Sequence, residues 1–213
     1  MSRKYRENRR MKEKSALRRQ IKSMLRQFAP ETLREKSERV TQRLMNSSAW
    51  RDAEVLLGFC SLPDEVDTTA LLIAALHAGK TVAIPRIVAH ELAFHLLPEI
   101  DAHYVINAFG IREPAPDWPL FRPEAHHDRS MLVLTPGLAF DRCCYRLGRG
   151  KGFYDRFLSH IRSNSSIQAT TVGICVAEQL IERVPADQHD LPVDLVIAEH
   201  EVFSRIANQA LFR

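Results

Sequence analysis

Residues 135–158 read TPGLAFDRCCYRLGRGKGFYDRFL, and the arrangement of the rest of the chain follows from this stretch. It continues the apolar run 131–134, which predicts a buried strand, turns at Pro136-Gly137, and ends in 153–158, which is able to open a helix. Between strand and helix, Gly148, Gly150 and Gly152 alternate with Arg149 and Lys151, just after Arg146 and Leu147. Side chains are missing where a ligand has to touch backbone and cationic where it has to be neutralised. Such a loop favours a polyphosphate, because free N–H groups and the positive end of a helix dipole both attract anions. Asp155 follows within one helical turn, where a carboxylate is able to hold a Mg2+ that bridges the same phosphates. The loop is not a P-loop, since Gly152 follows Lys151 where Ser or Thr is required, and its spacing does not fit the dinucleotide fingerprint. A solvated basic turn is the plainer alternative, and the segment alone does not decide between the two.

Length and composition bound the answer. A chain of 213 residues, 45% of them hydrophobic, is able to bury one substantial core, so a single α/β domain is expected. The formal charge is +4, and residues 1–13 carry six Lys or Arg against Glu7 and Glu13. The remaining chain is therefore neutral, and the basic pI describes a tail rather than a basic face. That tail is expected to be a disordered extension preceding a domain at 14–213, since blocks of like charge are usually solvated. Its alternative use is contact with RNA, by counterion release. It lacks the apolar core of a signal peptide, and no later run reaches the roughly 20 apolar residues of a membrane span. A cytoplasmic monomer without membrane contact is expected, with nucleic acid an unfavoured partner. The four cysteines form no disulfide framework or CxxC site.

Periodicity predicts a first helix over 14–28, with Leu17, Ile21, Met24, Leu25 and Phe28 on one stripe, and a second over 30–45. EVLLGFCSL at 54–62 reads as a strand buried on both faces, as in a parallel sheet covered by helices. A helix over 69–78, closed by Gly79, and a strand over 81–86 complete a β-helix-β unit that argues for a parallel crossover. Further strands are expected at 92–97, 170–176 and 193–198, with a helix at 153–162. The expected fold is thus α/β, a mainly parallel sheet with helices on both faces. In open parallel sheets ligands gather beyond the carboxyl ends of the strands, where the loops 64–67 and 135–141 both fall.

PGLAFD followed by RLGRGKGFYDRFL resembles the signature of the 5-formyltetrahydrofolate cyclo-ligase (5,10-methenyltetrahydrofolate synthetase) family. The resemblance implies an ATP- and Mg2+-dependent enzyme that closes 5-formyltetrahydrofolate to 5,10-methenyltetrahydrofolate, releasing ADP and phosphate. KSALR is similar to the family's N-terminal Lys-x3-Arg, which implies that Lys14 and Arg18 reach the ATP phosphates together with the loop 146–154, Phe153 and Tyr154 included. Arg149 and Lys151 are the implied catalytic cations. FCSLPDEVDT resembles the folate segment, which implies Glu65 on the pterin with Phe59 and Cys60 as packing neighbours; a helix-start carboxylate is the alternative for Glu65. FGIREP is similar to the folate side of the family's cleft and makes Phe109 a candidate ring contact or a packing residue. The order Gln179, Pro185, His189-Asp190, Val193-Asp194 also follows the family and implies Asp190 as a Mg2+ ligand with Asp155. Two departures stand out: Cys144 occupies a usual Gly, and Phe153 a usual Tyr. A nucleotide-binding enzyme acting on another formyl or amide substrate is the enzymatic alternative. No GxSxG elbow exists to make His189-Asp190 a hydrolase dyad.

Overall fold

The computed structural model describes residues 3–108 and 110–205. Helices α1 (Arg3–Leu25), α2 (Pro30–Met45) and α3 (Ser48–Asp52) lead into strand β1 (Val55–Leu57). Helix α4 (Thr69–His77) connects β1 to β2 (Thr81–Val88), which folds back as β3 (Glu91–Leu96). Strands β4 (Tyr104–Ile106), β5 (Arg112–Pro114) and β6 (Leu120–Phe121) precede the central β7 (Met131–Thr135). A small hairpin, β8 (Ala139–Phe140) and β9 (Arg146–Leu147), then delivers the chain to α5 (Phe153–Ser163). Strands β10 (Ala169–Ile174), β11 (Leu195–Ile197) and β12 (Val202–Ser204) close the described chain.

Eight strands form one sheet in the order β12-β11-β10-β7-β1-β2-β3-β6. The five from β11 to β2 are mutually parallel; β12 and β3 run antiparallel to them on either side, and β6, at the edge, pairs antiparallel with β3. Numbered by their place in the chain, the parallel strands run 2-1-3-4-5, a doubly wound order that reverses direction between β1 and β7. Crevices open outside the carboxyl ends of strands at such a reversal.

The alternation of side chains across the strands divides the core. Leu56, Leu132, Leu134, Val172 and Ile174 pack with Ile21 and Leu25 of α1, Val40 and Leu44 of α2, and Leu71 and Leu72 of α4. Val55, Leu57, Met131 and Val133 face the other way, against Phe157 and Ile161 of α5. Helices thus cover both faces of a mainly parallel sheet, as the apolar runs predict.

Two expected boundaries are corrected. The basic segment, expected as a disordered extension through residue 13, is helical from Arg3 onward and continuous with α1. Its Arg, Lys, Glu and Met residues have good helix propensity, and Arg9 pairs with Glu13 one turn on, at 2.9 Å. The strand expected over 54–62 ends at Leu57. Beyond it a Cβ at Gly58 would lie 2.6 Å from Leu72 Cδ2, so the chain passes close under α4 and leaves the sheet, freeing residues 59–62 for the crevice.

Candidate active site

The crevice at the reversal is a cleft of about 780 Å3. Phe59, Cys60 and Glu65 reach it from the chain after β1, Pro136 and Gly137 from the end of β7, and the whole loop 146–155 forms one wall. Lys14 and Arg18 of α1 reach it from outside the sheet, and Asp190 from the segment before β11. Every residue that the sequence singles out for a ligand therefore borders one space, except Phe109, which lies outside the described residues.

The glycine loop owes its position to Asp141. Its Oδ1 accepts the N–H groups of Cys143 (2.9 Å) and Tyr145 (3.0 Å), and its Oδ2 accepts Val184 N–H at 2.9 Å. This aspartate of the FD pair thus ties a turn to the 184 segment. Gly150 and Gly152 adopt φ of +100° and +68°, backbone that residues with a Cβ rarely take. Gly152 is the N-cap of α5, with Asp155 in its first turn, so a helix N-terminus opens at the cleft.

Helix α1 is fastened to this loop by its cations. Arg18 Nε donates to Gly148 O at 2.9 Å, and Lys14 Nζ bonds Asp187 Oδ2 at 2.8 Å and also Asp190 Oδ2. Burial works to lower the Lys14 pKa, but the hydrogen bonds it donates to Asp187 and Asp190, with their negative charges, outweigh it and hold the ammonium above the ordinary lysine value. The hydrogen bond from Lys14 is also the largest cause that holds Asp187 below the usual aspartate value.

Arg149 links the two halves of the cleft. Its Nε and Nη2 donate to Glu65 Oε1 at 3.1 and 3.0 Å, and Nη2 also donates to Asp64 Oδ1 at 2.5 Å. Glu65 Oε2 accepts Leu62 N–H at 3.0 Å. Burial raises the Glu65 pKa, and the Arg149 charge offsets only part of that rise. Burial likewise pushes the Cys60 thiol up to about 11, so Cys60 is a neutral wall.

Asp155 Oδ1 lies 2.9 Å from Arg146 Nη2 and 3.4 Å from Leu191 N, which brings it beside the segment that carries Asp190. Among the described residues no group of three or more His, Cys, Asp or Glu is able to hold a metal. Two carboxylates on one cleft nevertheless suit Mg2+, which is commonly held by one or two carboxylates plus substrate phosphates.

Sequence reasoning missed Asp64, Asp187 and Glu113. Asp187 stands three residues before Asp190 and shares its lysine, a spacing signal that was available. Glu113 lies within the quoted GIREP segment, borders the cleft, and accepts Ile87 N–H at 3.1 Å and Asn107 Nδ2 at 2.7 Å.

Comparison with known proteins now identifies the fold and the chemistry. A profile of the 5-formyltetrahydrofolate cyclo-ligase family matches residues 10–199. The chain is 31% identical over 198 residues to the Caenorhabditis elegans protein named "Probable 5-formyltetrahydrofolate cyclo-ligase", covering 88% of this chain and 93% of that one. It is 30% identical over 187 residues to the Escherichia coli K12 5-formyltetrahydrofolate cyclo-ligase, covering 86% and 98%. The NMR structure of Aquifex aeolicus 5,10-methenyltetrahydrofolate synthetase superposes with a TM-score of 0.75 at 31% identity, over 94% of this chain and 96% of that one. With sequence, fold and cleft in agreement, the chain belongs to the 5-formyltetrahydrofolate cyclo-ligase family and is a ligase of its ATP-dependent type.

Proposed function

We propose that this protein converts 5-formyltetrahydrofolate to 5,10-methenyltetrahydrofolate at the expense of ATP, by phosphorylating the formyl oxygen. The observation that carries the reading is the meeting of Lys14, Arg18, Arg146, Arg149 and Lys151 with Phe59, Cys60 and Glu65 around one space. The cations suit a triphosphate and the second group a flat, hydrogen-bonding ring system.

The formyl carbon on N5 is amide-like and resists attack by N10. Attack of its oxygen on the γ-phosphorus forms an O–P bond as the P–O bond to ADP breaks. N10 then adds to the activated carbon and loses its proton, and phosphate departs with the C–O electron pair to leave the methenyl bridge. No protein nucleophile is needed; what the chain supplies is alignment and positive charge on the transferring group. Lys14, Arg18 and the loop 146–154 bind the phosphates, and Glu65 with Phe59 and Cys60 fixes the pterin. Mg2+, held by Asp155 and Asp190, would neutralise phosphate charge when bound. Catalysis by a cytoplasmic monomer fits a cleft built from one chain, and among the described residues no helix is long and apolar enough to cross a membrane.

The test is direct. Purified protein mixed with 5-formyltetrahydrofolate, ATP and Mg2+ is expected to develop the absorbance of the cyclised product, and omission of any one component is expected to abolish it. ATP turnover that responds to a different formylated or amide compound and not to the reduced folate would replace this reading with the enzymatic alternative.

A further inference from the structure

Among the described residues, five carboxylates border the main cleft: Glu65, Glu113, Asp155, Asp187 and Asp190. Four of them are committed to cations. Glu65 is held by Arg149, Asp155 by Arg146, and Asp187 and Asp190 by Lys14. Glu113 is held by neutral donors instead: its Oε1 accepts the N–H of Ile87 at 3.1 Å and Nδ2–H of Asn107 at 2.7 Å. Its Oε2 accepts no hydrogen bond and pairs with no cation among the described residues. The residue is only 4% exposed, yet Oε2 is not one of the unpaired atoms sealed from solvent, as Glu199 Oε2 is. That oxygen therefore opens on the cleft. Ile87, which Glu113 bonds, pairs with Leu92 across the β2–β3 hairpin, and both border the cleft, so the carboxylate stands beside apolar wall with one oxygen anchored and the other uncommitted. A buried polar atom left without a partner weakens a fold, which makes an occupant of the cleft the natural partner of this one.

The cyclo-ligase reading, on which this inference rests, leaves one proton without a destination. N10 carries it into the addition, and until it is removed a cationic N10 is expelled more readily than phosphate, so the step runs backwards. A base is needed, and it has to be free of a counter-ion. No histidine borders the cleft among the described residues, and the other carboxylates there are ion-paired. We infer that Glu113 is a catalytic residue, the general base of ring closure, whose Oε2 accepts the proton of N10. The N10 lone pair forms the C–N bond to the activated carbon, and the N–H electron pair returns to N10 as the proton passes to Oε2. That pair then forms the second C–N bond as phosphate leaves with the C–O electrons, and Glu113 gives its proton to water when the product departs. Anchoring of Oε1 keeps Oε2 in place, and a general base acts only within hydrogen-bond reach of the proton that it takes.

The substitution Glu113→Gln tests this, because the amide oxygen still accepts from Ile87 and Asn107 while the free oxygen is replaced by a group that takes no proton. The variant is expected to melt close to the wild-type temperature. Its kcat for methenyl formation is expected to fall roughly a hundredfold to ten-thousandfold, the range of general base catalysis, with KM for ATP and for the folate within about twofold of wild type. Phosphoryl transfer precedes the proton step and does not use the base. Rapid-quench assays of E113Q are therefore expected to show ADP formed in the first turnover at the wild-type rate, well ahead of the methenyl product. Wild-type kcat in E113Q, a loss confined to KM, or ADP and methenyl product appearing together at one reduced rate would overturn the inference. If E113Q melts lower, E113D decides: a carboxylate on a shorter arm is expected to recover part of the methenyl step, and no recovery overturns the assignment. Failure of the wild type to cyclise the folate would instead remove the cyclo-ligase reading itself, a result that is visible before any variant is made.

Discussion

Cys144 has φ of 63°, in the left-handed region that costs a residue with a Cβ about 1–2 kcal/mol. It sits where relatives of this chain are expected to carry glycine, on the turn that Asp141 holds, and its N–H reaches Asp141 O at 2.9 Å. The thiol offsets the strain by packing, fully buried, among Phe140, Leu158, Cys175 and Val196, and burial pushes its pKa up to about 12. Cys144→Gly relieves the backbone, loses that packing, and adds the conformational entropy cost of glycine, about 0.5–1 kcal/mol. These nearly cancel, so urea denaturation is expected to place C144G within about 1 kcal/mol of wild type. Cys144→Val keeps an apolar side chain but adds β-branching in the left-handed region, and is expected to be clearly less stable than either. The sequence showed that this position was unusual but not why, because a single residue type carries no record of φ. The same limit hid the pairing of Arg149 with Glu65. Both were legible as site residues, one for phosphate and one for pterin, yet which cation meets which carboxylate depends on how the loops after β1 and β9 approach each other.

Gly173 interrupts β10, a place where glycine ordinarily weakens a strand. A Cβ there would lie 2.3 Å from Phe140 Cε1, and one at Gly137 would lie 2.6 Å from Phe140 Cζ. The fully buried ring of β8 thus fills a slot between two glycines, one in the sheet and one at the cleft wall. Gly173→Ala overpacks that slot, and since Phe140 has no exposure through which to yield, a loss of about 1–3 kcal/mol is expected from urea denaturation. The displaced ring also presses on the Pro136-Gly137 turn, so KM for at least one substrate is expected to rise in the same variant, whereas a loss of stability with unchanged KM would separate the slot from the cleft. At this scale the elements themselves were legible: the buried runs of β7, β10 and β11 and the helical spacing of α2 follow directly from periodicity, and α5 lies where a helix after the glycine loop was expected. What periodicity missed was where a buried run stops being a strand. EVLLGFCSL stays apolar past Leu57 because its second half lines a cleft, and apolar cleft wall and apolar core look alike in sequence.

The architecture of the whole molecule makes the site depend on α1, which lies outside the sheet yet supplies two cations to the cleft. Its inner end packs through Ile21 and Leu25, and its middle is fixed by Lys14 on Asp187 and Asp190 and by Arg18 on Gly148. The Asp187 carboxyl has a folded value below the ordinary 3.8, so its share of the pairing is complete above 3.8 and is lost as pH falls through the lowered value. Lys14 has a folded value above the ordinary 10.5, so its share is complete below 10.5 and is lost as pH rises through the raised value. The melting difference between wild type and K14M is therefore expected to stay constant from about pH 5 to about pH 9 and to shrink in stronger acid.

Nearer the outer end of α1, Tyr5, Arg9 and Arg10 border a second pocket shared with Arg183 and Pro185. Arg9 and Glu13 form an exposed pair, of a kind worth about 0–1 kcal/mol, and among the described residues none before Met11 borders the main cleft. A chain that starts at residue 11 is accordingly expected to keep wild-type kcat and to lose no more than about 1 kcal/mol of stability. A chain that starts at residue 19 loses both cations, leaves Asp187 and Asp190 facing each other without a counter-charge, and frees Gly148 from Arg18. Cyclisation is expected to be abolished in it, with ATP binding lost and the melting temperature lowered. Paired assays of the two truncations, each with a nucleotide titration, decide the matter: equal activity in both would mean that α1 is dispensable packing and that the phosphate site is complete within the glycine loop.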